Sequence, residues 1–269
     1  TLAGHAAPVR SAIFSEDGRL VLTSSYDATA KLWDLGSGAC TRTFCHESWV
    51  TSAGFAGDRG VVLTSSTDRT AKLWSIETGT STHTFSGHAM TVTGAAFSRE
   101  AGLVLTSSYD KTAKLWSIAS CSCIKTFVGH TAIVTGAIFS GDGGFALTSS
   151  YDMCAKLWSI ESGACLRTFL GHASVLMGAV FSENGGFVLT SSHDQSAKLW
   201  NLSSGACIQT FKGHLGCVTS AVFSGDGVSV LTTSEDRTAK LWSMETGACT
   251  KTFAGHAGVV TRAVFSVDG

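Results

Sequence analysis

The chain has 269 residues, of which 44% are hydrophobic and 14% charged, and its formal net charge at pH 7 is −1. This composition excludes a disordered chain, because it provides ample apolar material for a core and too little charge to keep the chain solvated. The near-zero charge removes the simplest electrostatic case for a nucleic acid or an anionic membrane as partner, and no apolar run reaches the length of a membrane span.

An internal repeat organises the whole sequence. Seven histidines recur with one step of 41 residues and five steps of 42, and a tryptophan follows each of the first six after 28 residues. This spacing predicts six full repeats at about 5–45, 46–87, 88–129, 130–171, 172–213 and 214–255, with a partial repeat made of 256–269 and 1–4. We expect these repeats to form one domain over residues 1–269.

Each repeat has the pattern of four short β-strands. In the fourth repeat the predicted strands are 134–139, 145–150, 155–158 and 165–169, and Gly-, Asp- and Ser-containing turns separate them. No window has sustained helical apolar periodicity. The sequence therefore predicts an all-β chain of four-stranded antiparallel sheets.

Four short motifs recur in these repeats: Gly-His, a Phe-Ser-x-Asp-Gly turn, Ser-x-Asp before the third strand, and Leu-Trp at its end. Together they resemble the WD40 repeat over essentially the whole chain, although the Trp-Asp dipeptide itself occurs only at Trp33-Asp34. The resemblance implies a β-propeller of four-stranded blades. The terminal segments favour a seven-bladed parent with an incomplete seventh blade, in which 260–265 is a first strand; a six-bladed ring is the alternative. The recurring first-strand phenylalanine, Phe14 in the first repeat, is expected to fill the wedge between blades.

The resemblance also implies a hydrogen-bonded tetrad in each blade, running from Trp to Ser to His to Asp, because a buried indole and a buried imidazole both need partners. The predicted members are His5, Ser25, Asp27, Trp33, His46, Ser66, Asp68, Trp74, His88, Ser108, Asp110, Trp116, His130, Ser150, Asp152, Trp158, His172, Ser192, Asp194, Trp200, His214, Ser234, Asp236 and Trp242. Ser, His and Asp also form hydrolase triads, but six equivalent copies at strand ends favour a structural role. No catalytic residue is predicted, and the protein is not expected to be an enzyme.

The nine cysteines are predicted to be free thiols. Neither Cys121-Ser122-Cys123 nor Cys154 has a histidine at zinc-binding sequence spacing, so no metal site and no cofactor is predicted. The odd cysteine count and the lack of a visible secretory signal lead us to expect a cytoplasmic or nuclear location.

Function is expected at positions that vary among the repeats, on the loops before the first and third strands. By resemblance, the predicted partner-binding residues are Arg10, Tyr26, Trp49, Tyr109, Ile133, Tyr151, Val175, Met177, His193 and Glu235. Apolar and aromatic residues are frequent among them, which is typical of binding surfaces. The expected function is a protein–protein interaction scaffold that docks a peptide or loop of a partner around the central channel.

Two alternatives to the scaffold remain open. Nucleic acid, phosphate or a lipid headgroup would bind through the basic positions, which include a lysine two residues before each repeat tryptophan. In the second alternative, the chain is a regulatory sensor domain of a larger multidomain protein. The net charge speaks against nucleic acid as a partner.

Overall fold

A computed structural model describes residues 1–57, 60–98 and 101–265. These residues form strands and turns without any helix, so none of their segments meets the requirements for a membrane-spanning helix. The chain divides into two compact units, Thr1–Gly129 and His130–Gly269. Each unit contains three four-stranded sheets, which confirms the predicted all-β class with four-stranded antiparallel blades.

The strands of the first unit are β1 (Val9–Phe14), β2 (Leu20–Ser25), β3 (Thr29–Asp34), β4 (Cys40–Cys45), β5 (Val50–Phe55), β6 (Val61–Ser66), β7 (Thr70–Ser75), β8 (Ser81–Ser86), β9 (Val92–Ser98), β10 (Leu103–Ser108), β11 (Thr112–Ser117) and β12 (Ser122–Val128). The strands of the second unit are β13 (Val134–Phe139), β14 (Phe145–Ser150), β15 (Cys154–Ser159), β16 (Cys165–Leu170), β17 (Leu176–Phe181), β18 (Phe187–Ser192), β19 (Ser196–Asn201), β20 (Cys207–Lys212), β21 (Val218–Phe223), β22 (Ser229–Ser234), β23 (Ala239–Ser243) and β24 (Cys249–Phe253).

Each sheet is an antiparallel meander whose strand order follows the sequence, and each lies within one of the predicted repeats. In the fourth repeat β13 and β14 have the predicted bounds, while β15 and β16 extend slightly beyond theirs. The second strand of every blade is buried at five of its six residues. Short polar turns reverse the direction of the chain after each strand of about six residues.

Adjacent blades within a unit pack through an aromatic pair. The fourth-strand Phe44 contacts the third-strand Trp74 of the next blade with ring centroids 5.5 Å apart, and Phe169 contacts Trp200 at 5.8 Å. Leu, Val and Ala side chains of both blades complete each core. The first-strand phenylalanines are only partly buried against these cores, and Phe14 is 68% exposed, so the deepest aromatic between blades comes from the fourth strand rather than the first.

The turn between the second and third strands has a left-handed residue in every blade. These residues are Ala28, Arg69, Lys111, Met153, Gln195 and Arg237, with φ between 65° and 71°. Each follows an aspartate that anchors the turn: in the fifth blade the Asp194 carboxylate accepts the Ser196 N–H and O–H at 3.0 and 2.6 Å. The left-handed conformation costs an L-residue about 1–2 kcal/mol.

The segment expected to form the first strand of a seventh blade contains no strand over 260–265. Hydrogen bonds join it to the sixth blade, from Thr219 Oγ1–H to the Val260 carbonyl at 2.6 Å and from Val260 N–H to the Ser234 carbonyl at 3.2 Å. In the six complete blades, by contrast, the first strand pairs with the second strand of its own repeat. The prediction of a strand at 260–265 is therefore wrong for these residues.

Candidate functional site

A chain of side-chain hydrogen bonds ties together His, Thr, Trp and Asp in every blade. In the fifth blade Trp200 Nε1–H donates to Thr190 Oγ1 at 2.9 Å, and the threonine hydroxyl lies 2.8 Å from His172 Nε2. His172 Nδ1 lies 2.7 Å from Asp194 Oδ2. An ionised aspartate accepts the Nδ1 proton, which leaves Nε2 to accept from the threonine. The same contacts recur in all six blades, through Thr23, Thr64, Thr106, Thr148, Thr190 and Thr232.

The hydroxyl in these tetrads is therefore threonine, and the predicted serine is wrong. Ser25, Ser66, Ser108, Ser150, Ser192 and Ser234 instead accept the backbone N–H of the aspartate two residues later, at 3.0–3.1 Å. The strand register explains the difference. Trp200 pairs with Val188, so Thr190 is the diagonal neighbour of its indole, and Ser192 lies a further two residues along the strand.

In the fifth blade, burial and hydrogen bonding shift the pKa values of His172 and Asp194 below their ordinary values. Burial acts to raise the pKa of Asp194, but hydrogen bonds from Ser196, the Ala173 N–H and His172 outweigh it and lower that pKa to about 2. Burial lowers the pKa of His172 more than Asp194 raises it. Thr190 has no exposed surface. A neutral imidazole beside a buried hydroxyl that already has partners holds the blade together and offers no nucleophile to a substrate.

A second set of hydrogen bonds joins the two loops on which the partner-binding residues were predicted. In each blade the residue before the aspartate donates its backbone N–H to the carbonyl of the residue three after the histidine, at 2.9–3.1 Å. These pairs are Tyr26–Pro8, Thr67–Trp49, Tyr109–Thr91, Tyr151–Ile133, His193–Val175 and Glu235–Cys217. The aspartate adds a bond to the loop after the histidine, as from Ala6 N–H to Asp27 Oδ2 at 2.9 Å. The loops are therefore held in place before any partner binds.

In the first unit this surface carries Arg10, Tyr26, Trp49 and Tyr109. The rings of Tyr26 and Trp49, from neighbouring blades, contact each other with centroids 4.9 Å apart. Trp49 nevertheless remains 54% exposed, and Tyr109 and Arg10 are exposed as well. Indole and phenol rings left in solvent on a fixed loop are typical anchors for a protein partner.

In the second unit Tyr151, His193 and Glu235 are exposed, whereas the other predicted members Ile133, Val175 and Met177 are partly buried. Two exposed apolar side chains just after a repeat histidine, Met90 in the first unit and Leu215 in the second, were not among the predicted residues; Leu215 is 87% exposed. They lie two and one residues after a repeat histidine. A comparison of the repeats could have found them, because Ala, Ser, Thr, Gly or Glu occupies these positions in the other repeats.

The recurring lysines have partners on their own blade. Five of them donate from Nζ to a fourth-strand threonine hydroxyl at 3.0 Å: Lys31, Lys114, Lys156, Lys198 and Lys240. The sixth, Lys72, places Nζ 5.5 Å from the centroid of the Trp74 ring. These contacts favour the interpretation that the lysine stems cover blade surface.

All nine cysteines are free thiols, and only Cys154 and Cys217 are buried. The structure brings both of them close to potential metal ligands from other parts of the sequence. Cys154 lies with His130 and Asp152, and Cys217 lies with His193 and Glu235; within each group the ligand atoms are within 4.8 Å of one another. His130 is not at zinc-binding sequence spacing from Cys154, yet the fold brings its Nδ1 to 3.8 Å from the Cys154 sulfur.

The profile of the WD domain, G-beta repeat family matches residues 1–34, 38–75, 79–117, 121–159, 163–201 and 205–243. Each match ends at the third strand of a blade, one residue after the tetrad tryptophan. The matches together cover most of the chain.

Curated relatives match over 41 to 49 residues, about the length of one repeat. Cross-pathway control WD-repeat protein 2 of Flammulina velutipes is 49% identical over 43 residues, which are 16% of this chain and 14% of that protein. Protein tipD of Dictyostelium discoideum is 51% identical over 49 residues, 18% of this chain and 8% of that protein. F-box/WD repeat-containing protein 10 of Mus musculus is 44% identical over 41 residues, 15% and 4% respectively. The matched segments thus span a small fraction of each relative, and the repeat profile, which covers most of this chain, places it in the WD40 family.

Proposed function

We propose that this chain is a non-catalytic interaction scaffold that docks a peptide or loop of a partner protein on the surface formed by the loops before the first and third strands. The observation that carries the proposal is the exposed Trp49, held against Tyr26 on a loop that is hydrogen-bonded to its neighbour. Because the loops are already ordered, a partner would lose little binding free energy to fixing them.

The composition of the surface indicates the chemistry of the partner. On the first unit, Trp49, Tyr109 and Met90 offer apolar contact area, and on the second unit Tyr151 and Leu215 offer it on the equivalent loops. These loops also carry exposed charged residues of both signs: Arg10, Glu47, Arg69, Lys111, Glu235 and Arg237. A peptide with apolar or aromatic anchors fits this surface better than a polyanion does.

The test is affinity for a partner obtained by capture and identified by its sequence. A Trp49→Ala variant should bind it about 30-fold more weakly, the loss expected of a buried aromatic anchor at about 2 kcal/mol. Ile124→Ala on the fourth strand β12 is the matched control, since Ile124 is exposed but lies away from these loops; its affinity should not change.

Unchanged affinity in a Trp49→Ala, Tyr109→Ala double variant would overturn the docking surface. Binding that weakens steeply with salt and depends on the recurring lysines would instead support a phosphate-bearing partner.

A further inference from the structure

The loops of the fifth and sixth blades hold three metal-ligating side chains of different chemistry. A nitrogen of His193, the sulfur of Cys217 and a carboxylate oxygen of Glu235 lie within 4.8 Å of one another. His193 comes from the turn between β18 and β19, Cys217 from the loop before β21, and Glu235 from the turn between β22 and β23. Distant sequence positions thus converge within one compact unit.

The buried thiol of Cys217 has no protein partner of its own. Only 3% of the residue is exposed, and among the residues that the structure describes none of these three side chains has a hydrogen-bond partner. By contrast, the side chains of His130, Asp152 and Cys154 are already bonded to one another inside a tetrad. A metal ion there would have to displace those bonds, whereas the ligand atoms of the first group are free to turn to an ion.

The backbone fixes the position of the thiol relative to the carboxylate. Glu235 N–H donates to the Cys217 carbonyl at 3.0 Å, and Leu215 N–H donates to Asp236 Oδ2 at 3.0 Å. A side chain at Gly216 would place its Cβ 2.9 Å from the Asp236 nitrogen, so glycine is required for the two loops to approach this closely. His193 is held by its own N–H bond to the Val175 carbonyl at 3.0 Å.

We propose that His193, Cys217 and Glu235 form a Zn²⁺ site on this surface. Thiolate sulfur, imidazole nitrogen and carboxylate oxygen are the three ligand types that Zn²⁺ takes in proteins. Tetrahedral coordination places such atoms roughly 3.4–3.6 Å apart, so the exposed His193 and Glu235 side chains need to move by about 1 Å. Three protein ligands leave the fourth position open to water or to a donor from another molecule.

The sibling repeats show that these residues are not required by the fold. The position of His193 is Tyr in three other repeats, that of Cys217 is Val in the preceding repeat, and that of Glu235 is Thr in the second repeat. Substituting the sibling residue therefore removes a ligand while keeping a side chain that the same blade architecture already accommodates. The site is independent of any protein partner, so it is tested on the isolated chain.

The experiment is titration of the full chain with Zn²⁺ by calorimetry and with Co²⁺ by absorption spectroscopy, under reducing conditions. The wild type should bind one equivalent of Zn²⁺ at micromolar concentration, and Co²⁺ should give the sulfur-to-metal band and intense visible bands of a tetrahedral thiolate site. Cys217→Val and His193→Tyr should each weaken Zn²⁺ binding on the order of 100-fold or more, since even residues that only orient ligands contribute about 10–100-fold. Glu235→Thr should weaken it as well.

Two thiol variants serve as matched controls. Cys207→Ser removes an exposed thiol on β20, and Cys154→Thr removes the thiol of the other group; both should bind Zn²⁺ as the wild type does. The proposal is overturned if the wild type binds no Zn²⁺, if Cys217→Val and His193→Tyr bind it unchanged, or if either control loses it. Circular dichroism of every variant without metal separates loss of a ligand from loss of the fold.

Discussion

Replacing Thr190 by valine tests the tetrad in one blade. Valine keeps the shape of threonine but leaves two buried groups, Trp200 Nε1–H and His172 Nε2, without a partner. Each such group costs about 1–3 kcal/mol, so Thr190→Val should lower the free energy of unfolding by roughly 2–6 kcal/mol. Ser192→Ala should cost about 1–3 kcal/mol, because it removes the acceptor of the Asp194 N–H and the hydroxyl that donates to the Ser174 and Val175 carbonyls at 3.1 and 3.0 Å.

A double-mutant cycle makes the comparison independent of these absolute values. Urea unfolding followed by circular dichroism would be measured for Thr190→Val, Ser192→Ala and Trp200→Phe, and for each hydroxyl variant combined with Trp200→Phe. Thr190 and Trp200 should be coupled by about 1 kcal/mol or more, whereas Ser192 and Trp200 should be additive within about 0.5 kcal/mol. Coupling of Trp200 to Ser192, with additivity for Thr190, would refute the tetrad as described.

Three further predictions concern pH, backbone strain and thiol chemistry. The folded state holds the pKa values of His88, His130, His172 and His214 below their ordinary value, so the unfolded chain takes up protons first as pH falls. The free energy of unfolding should therefore be constant only between about pH 7 and 8, decrease below about 6.5, and decrease further below about 4, where the low pKa of Asp194 adds to the effect. A pH-independent urea midpoint between 7 and 4 would contradict this. Gln195→Gly should raise the free energy of unfolding by about 0.5–1 kcal/mol, because glycine adopts φ near +68° without strain. The control is Gln209→Gly on β20, where φ is not left-handed and glycine should lower the free energy of unfolding. Burial raises the pKa of Cys154 to about 12 and that of Cys217 to about 11, so a thiol reagent should modify seven cysteines quickly and these two slowly; nine equal rates would be inconsistent with the burial seen here.

The repeat made the strands predictable but left the hydroxyl of the tetrad ambiguous. Glycine- and aspartate-containing turns mark each strand end, which is why β13 and β14 have their predicted bounds. Thr190 and Ser192 recur in every repeat as hydroxyl residues two positions apart on the same face of β18. Composition cannot choose between them. The antiparallel register can, because it pairs Trp200 with Val188 and leaves Thr190 as the diagonal neighbour.

Contacts between different blades could not be predicted from the spacing of residues in the sequence. His193, Cys217 and Glu235 come from three separate loops, so no short sequence motif indicates that they form a ligand group. The same holds for the pairing of Phe44 with Trp74, which depends on how neighbouring sheets pack. Within a single repeat, by contrast, local turn chemistry and strand register determine most of what the structure shows.

Hydrogen exchange of the seven tryptophan indoles, followed by proton–nitrogen correlation spectra, tests the tetrads most directly. The six tetrad indoles donate to a buried threonine hydroxyl, whereas Trp49 is 54% exposed. Six indole N–H groups should therefore exchange slowly and that of Trp49 quickly, and Thr190→Val should accelerate the exchange of Trp200 most strongly. Tetrad indoles that exchange as fast as Trp49, or a Trp200 resonance that responds to Ser192→Ala and not to Thr190→Val, would contradict the account.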